Sequence, residues 1–114
     1  MSDMVSAKEV NIDLFKLSPV SKREYLESSI SRIYKILHLI EEEHTTGYSP
    51  RPFIAGQIFE LGAADALFDG KLSTIIIKLK GIYDNYDSME LSDCKKQIFE
   101  IKRIINALLK NLEG

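Results

Sequence analysis

The residues best suited to metal chemistry form one short cluster, in which Glu41, Glu42 and Glu43 precede His44 and His38 lies a few residues earlier. Side chains three or four residues apart share a face of a helix, which would place Glu41 beside His44 and His38 beside Glu42. Di-iron helical bundles use a Glu-x-x-His motif on each of two helices, with further glutamates from the other two. This sequence contains one copy of that motif, so we expect neither a metal nor another cofactor.

The three consecutive glutamates are an unusual choice for the carboxyl end of a helix. That end carries partial negative charge, so each carboxylate there costs up to about 0.3–1 kcal/mol when weakly screened. Because local helix stability does not require Glu41, Glu42 and Glu43, one hypothesis is that they contact a basic surface on a protein partner. The alternative is that they only increase solubility, and the sequence leaves both open.

A second acidic stretch covers residues 84–90 and includes Asp84, Asp87 and Glu90. Its turn-forming composition predicts an exposed loop between two helices. We regard these three carboxylates as further candidates for contact with a protein partner.

Asp65 is the third unusual carboxylate, because it follows the apolar positions Ile54, Ile58 and Leu61 on what should be the buried side of a helix. A buried carboxylate needs a partner or access to water. One interpretation is that Asp65 caps the turn into the next helix. The other is a buried ion pair with an arginine such as Arg32 or Arg103.

Nucleophilic catalysis has little support in the sequence. No Ser-His-Asp set has a supporting spacing, and neither a Gly-x-Gly-x-x-Gly nor a Walker-type loop is present. The single cysteine, Cys94, falls in a predicted first helical turn, where the helix dipole can lower a thiol pKa. A reactive thiol and an inert surface cysteine are the two interpretations, and we favour the second. We therefore expect a protein that is not an enzyme.

The elements that must position these residues are amphipathic helices. Apolar residues recur at steps of three and four over residues 18–44 and 92–112, which predicts two long helices. Ser49-Pro50 predicts the start of a second helix reaching about residue 67, and the pattern from Leu72 to Tyr86 predicts a third. Ser92 is the expected cap of the fourth. The sequence predicts an all-α, four-helix up-and-down bundle with an N-terminal extended arm.

The sequence also predicts which residues of the helices are buried, and it shows two further features of the helix surfaces. The stripe of the first helix is Leu26, Ile30, Ile33, Leu37 and Ile40, and that of the fourth is Ile98, Ile101, Ile105, Leu108 and Leu112. Apolar residues just outside these stripes, namely Tyr34, Ile36, Ile104 and Leu109, suggest self-association as a homodimer. The second helix carries a small-residue face of Ala55, Gly56, Gly62 and Ala63, which predicts close backbone packing or a bound ligand.

Residues 1–17 are interpreted as the arm and residues 18–114 as one helical domain. Val10, Ile12 and Leu14 alternate with polar residues in the manner of a strand too short to form a sheet alone. We expect the arm to dock along the bundle or to pair with a partner, which makes these three residues candidate contacts.

Composition limits the choice of partner and compartment. Fifteen basic and 17 acidic residues give a net charge of −2, which disfavours nucleic acid. The lysines at 71, 78 and 80 with two nearby tyrosines imitate a nucleic-acid face, but the acidic residues beyond them repel phosphate. Acidic residues near the start and the lack of a long apolar run predict a cytoplasmic protein without a membrane span.

Two resemblances suggest alternatives to a general interaction module. The spacing Arg32-x5-His38 is similar to the catalytic motif of the HEPN ribonucleases, which are all-helical, and implies cleavage of RNA by these two residues. This sequence departs from that family in having Ile33 after the arginine and the motif early in the chain.

The run Ser49-Pro50-Arg51-Pro52-Phe53-Ile54 resembles the helix opening of enterocin-type bacteriocin immunity proteins, over residues 49–80. These are small four-helix bundles. The resemblance implies protection of a producing cell from its own toxin through protein recognition, without catalysis.

Overall fold

The computed structural model of the chain describes residues 19–113, and this part is all-α, with four α-helices and no strand. The helices are α1 (Pro19–Thr46), α2 (Arg51–Ala64), α3 (Ser73–Asn85) and α4 (Leu91–Glu113). Short 3₁₀ segments, Asp65–Phe68 and Tyr86–Ser88, follow α2 and α3. The predicted four-helix fold is confirmed, whereas the arm lies outside the described residues.

The helices pack in the order of an up-and-down bundle. The most extensive contact joins α1 to α4, and the next joins α2 to α3, with smaller contacts between α3 and α4 and between α1 and α2. Short connections between consecutive helices make antiparallel neighbours the favoured arrangement. One consequence is that the carboxyl end of α1 lies at the same end of the bundle as the connection between α3 and α4.

The core consists mainly of aliphatic side chains, contributed by all four helices and by the connection between α2 and α3. Leu26, Ile33 and Ile40 of α1 and Ile98, Ile101 and Ile105 of α4 are buried, as their spacing predicts. The remaining buried apolar residues are Ile36, Leu37, Ile54, Leu61, Ala64, Phe68, Leu72, Ile75, Leu79, Ile82 and Cys94.

The prediction that Ile36 is available for self-association is wrong, because Ile36 is 0% exposed. It lies three residues after Ile33 and four before Ile40, so it belongs to the same helical face. The buried stripe is simply wider than the five-residue series suggests. The ring of Tyr34 packs against Phe99 with a centroid distance of 6.5 Å, so this residue also has a contact within the chain.

The helix α2 begins one residue after its predicted start, and α4 begins two residues before its predicted start. Ser49 Oγ accepts a hydrogen bond from the Arg51 amide at 3.2 Å, and α2 begins at Arg51. The assignment of Ser92 as the cap of α4 is wrong, because α4 begins at Leu91. The carbonyl oxygen of Glu90 accepts from the amides of Asp93 and Cys94 at 3.0 and 3.1 Å, which places Glu90 at the start of this helix.

The close packing predicted for the glycines of α2 is absent from the described part of the chain. Gly56 and Gly62 are exposed, and a Cβ atom added to either would meet nothing within 4 Å. The small residues of α2 therefore face outward rather than toward a neighbouring helix of the bundle.

Candidate functional site

Two acidic segments that are distant in sequence meet at one end of the bundle. The phenol of Tyr86 donates to both carboxylate oxygens of Glu43, at 3.2 and 3.3 Å. Glu41 forms an ion pair with Lys95 at 3.3 Å, which ties the last turns of α1 to the second turn of α4. We call this region the acidic end and define it as Glu41, Glu42, Glu43, Asp84, Asp87 and Glu90. The sequence predicts both segments as contacts; in the structure Glu41, Glu43 and Asp87 line one cleft, whereas Glu42, Asp84 and Glu90 do not line it.

A cleft of about 430 Å³ lies within the acidic end. Its polar lining comprises Glu41, Glu43, His44, Tyr86 and Asp87. Its apolar lining comprises Ile40, Met89, Leu91 and Cys94. The cleft thus offers carboxylates at its edge and an apolar wall, which suits an occupant with both cationic and apolar groups.

The ion pairs at the acidic end leave its carboxylates accessible. Glu41 and Glu42 retain side-chain exposures of 44% and 47%, although they pair with Lys95 and His38. Asp87 is 85% exposed despite an ion pair with Arg51 at 3.1 Å. Exposed ion pairs contribute little net free energy, so these carboxylates can exchange their present partners for those of another molecule.

The helix dipoles explain part of the apparent cost of the three glutamates. The three carboxylates are repelled by the partial negative charge at the carboxyl end of α1. The amino end of α4, however, lies at the same end of the bundle, where Glu41, Leu91 and Cys94 line one cleft. A helix amino end carries partial positive charge and favours nearby carboxylates. The tertiary arrangement therefore offsets a cost that the sequence of α1 alone implies.

Tyr86 is the most strongly perturbed titratable residue that lines the cleft. Partial burial, followed by the charge of Glu43 and the hydrogen bond to it, raises the pKa of the Tyr86 phenol to about 12 from its ordinary 10.0. A phenolate beside Glu43 would place two negative charges together. Tyr86 therefore acts as a neutral hydrogen-bond donor at physiological pH.

Cys94 is neither a reactive thiol nor a surface cysteine. It is 1% exposed, and burial, with a smaller effect of Asp93, raises the pKa of its thiol. Desolvation opposes the thiolate that a nucleophile requires. The interpretation as a surface residue is wrong because position 94 lies on the buried face of α4, four residues before Ile98.

Arg32 and His38 are engaged separately. The Arg32 guanidinium donates to Gln57 Oε1 and Ser29 Oγ, both at 2.9 Å, and also to Ser28 Oγ. His38 is 68% exposed and pairs with Glu42 at 3.0 Å, as their spacing predicts. The structure therefore does not bring the two residues of the ribonuclease-like motif into a common site.

The pairing of Arg32 with Gln57 was missed by sequence reasoning, although a signal was present. Gln57 is 5% exposed and lies three residues after Ile54 and four before Leu61, on the buried line of α2. A buried amide at such a position requires a polar partner. Arg32 of α1 supplies it, and the pair connects these two helices.

Asp65 adopts the capping arrangement instead of a buried ion pair. Its Oδ1 accepts a hydrogen bond from the Leu72 amide at 2.9 Å, immediately before α3. The residue is half-buried, and Arg32 has the partners described above.

The charge of the lysine face of α3 is partly neutralised, since Lys78 pairs with Glu100 at 2.9 Å and lowers the pKa of that carboxyl.

Within residues 19–113, no group of three or more His, Cys, Asp or Glu side chains is arranged to hold a metal ion. No helix in this part of the chain is long and apolar enough to cross a membrane. The arm residues Val10, Ile12 and Leu14 lie outside the described range.

Comparison of the chain with protein-family models, with curated protein sequences and with solved structures found no match. The resemblances to immunity proteins and to HEPN ribonucleases therefore stay predictions.

Proposed function

We propose that this chain is a non-catalytic helical interaction module that binds a protein partner through its acidic end. The observation that carries the proposal is the meeting of the Glu41–Glu43 and 84–90 segments around one cleft, joined by the Tyr86–Glu43 hydrogen bond. Each segment alone is an ordinary solvated stretch. Together they place the carboxylates of Glu41, Glu43 and Asp87 around one cleft that also has an apolar wall.

The chemistry of this surface favours a basic partner segment that also carries an apolar side chain. Lysine or arginine would pair with the exposed carboxylates of Glu42 and Asp87. An apolar side chain would enter the cleft against Met89 and Leu91, of which Leu91 is 46% exposed. Charge complementarity of this kind accelerates association and selects among partners. The cytoplasm is the compartment we propose, as the sequence predicts.

The test compares two double variants that remove the same charge from opposite ends of the bundle. In E43Q/D87N two carboxylates of the acidic end become amides, whereas E24Q/E27Q changes two exposed residues in the first turns of α1. Each tagged variant and the wild type are used for affinity capture from nuclease-treated and untreated lysate of the native host, with retained proteins quantified by mass spectrometry and retained nucleic acid by gel staining.

We expect a stoichiometric protein that is retained by the wild type and by E24Q/E27Q and lost with E43Q/D87N. Its binding should weaken with added salt, since screening shortens the range of exposed charges. Equal retention by both variants would remove the acidic end from the proposal. Capture of RNA or DNA without a protein would contradict the interaction module itself.

Toxin immunity is a specific form of the same proposal. The four-helix architecture is the one that the resemblance over residues 49–80 implies. This form predicts that the captured partner is a toxin or its target, and that expression of the chain protects sensitive cells.

A further inference from the structure

The outward side of α2 is largely apolar, and its exposed charged residue Glu60 is paired with Arg32 at 3.8 Å. Around Phe59 this side carries Pro52, Ala55, Gly56, Gly62 and Ala63, with Ala66 of the following 3₁₀ segment, and we call these seven residues the outer face of α2. None of them is charged, and Phe59 is 79% exposed. A surface helix ordinarily has polar residues opposite its buried stripe, whereas a helix that is apolar on all sides is buried. Among residues 19–113, therefore, no element covers the outer face of α2.

A groove adjoins this face between α1 and α2. It has a volume of about 390 Å³ and is lined by Tyr25 and Arg32 of α1 and, on the side of α2, by Phe59, Glu60, Ala63, Ala64 and Leu67. The two charged residues of the groove, Arg32 and Glu60, pair with each other at 3.8 Å, and the remaining lining is aromatic or aliphatic.

The position of Pro19 brings the preceding chain close to this face. Lys22 and Tyr25, in the first two turns of α1, contact the ring of Phe68, with a distance of 6.0 Å from Nζ and 5.5 Å between ring centroids, respectively. Phe68 ends the 3₁₀ segment that continues α2, so α1 starts beside the carboxyl end of α2. The 18 residues before Pro19 span up to about 60 Å when extended, which far exceeds the roughly 21 Å length of α2.

The size of the face also favours a short segment over a second copy of the chain. A helix about 21 Å long and 10 Å wide offers much less than the roughly 800 Å² per partner of a standard protein interface. A segment of the same chain needs less area, because its docking does not cost the translational and rotational freedom of a separate molecule. We propose that residues 10–17 cover the outer face of α2, with Val10, Ile12 and Leu14 against Phe59 and the adjoining groove.

The chain contains no tryptophan, so one introduced tryptophan reports on this face alone. F59W places the reporter at the centre of the outer face. I77W is the matched control, because Ile77 is a 67% exposed apolar residue of α3 outside the groove. Acrylamide quenching and the emission maximum are measured for both in the full chain, with helical content checked by circular dichroism.

The tryptophan of F59W should be quenched severalfold less than that of I77W and should emit at shorter wavelength, independently of protein concentration. Adding I12D/L14D should raise its quenching to the level of I77W. Adding S6D/N11D, which introduces the same charge at polar positions of the arm, should not.

Three results would overturn the proposal. They are equal quenching of F59W and I77W, protection of F59W that persists with I12D/L14D, and protection that depends on protein concentration, which would indicate a second copy. None of these outcomes bears on the proposed function of the acidic end, because that proposal is tested with other residues and a different measurement.

Discussion

Tyr86 donates its phenolic hydrogen bond to Glu43 across 43 residues of sequence. This contact joins the last turns of α1 to the segment between α3 and α4, and it brings two acidic stretches into one surface. The phenol must be protonated to donate this hydrogen bond, so the stability that the contact gives to the acidic end depends on pH.

The Y86F variant tests this link at high pH. The pKa of Tyr86 is raised from 10.0 to about 12, so the folded chain keeps a proton that the unfolded chain loses above pH 10. The contribution of Tyr86 to the free energy of unfolding is therefore complete below pH 10 and is lost as the pH rises toward about 12. Urea unfolding of wild type and Y86F at about pH 9 and about pH 11.5 should show a shrinking difference in stability. A constant difference would contradict the raised pKa. Y48F controls for the loss of an exposed phenol.

D65A should destabilise the chain by about 1 kcal/mol, because the Leu72 amide at the start of α3 loses its acceptor. The matched control is D84A, which removes an exposed carboxylate from the last turn of α3 and should change stability by less than about 0.5 kcal/mol. Urea unfolding measures both. Equal effects of the two variants would show that the Asp65 hydrogen bond does not stabilise this turn.

I36A should cost about 2–5 kcal/mol, because Ile36 is fully buried and its truncation leaves a cavity. I77A, at an exposed position, should cost less than about 0.5 kcal/mol. Thermal or urea unfolding distinguishes them. If Ile36 instead served self-association, I36A would change the oligomeric state at sedimentation equilibrium and leave the stability of the monomer intact.

Cys94 should react more slowly with a thiol reagent at neutral pH than free cysteine does, because its sulfur is buried and its pKa is raised. Unfolding in urea should restore full reactivity. The comparison is S92C in a C94A background, which places the only thiol at an exposed position of the same helical turn. Reaction of native Cys94 as fast as that of S92C/C94A would show that the thiol is accessible.

The sequence by itself determined the helices and their buried faces. The three-four spacing of Ile98, Ile101 and Ile105 fixes which side of α4 is apolar, and an apolar side must pack against something. Turn residues and helix-start signals placed the four helices to within a few residues. The spacing of His38 and Glu42 also predicted their contact, because this pair lies within a single helix.

Only the tertiary structure decided which of these elements meet. Ile36 and Cys94 are buried because neighbouring helices cover a wider stripe than the strongest periodic series indicates. The pairs Arg32–Gln57 and Tyr86–Glu43 join different helical elements, and their partners depend on how those elements are oriented. Periodicity records which residues share a face of one helix, whereas the approach of two faces is set by side-chain packing between helices. The acidic end exists for that reason: antiparallel packing brings the carboxyl end of α1 beside the α3–α4 connection.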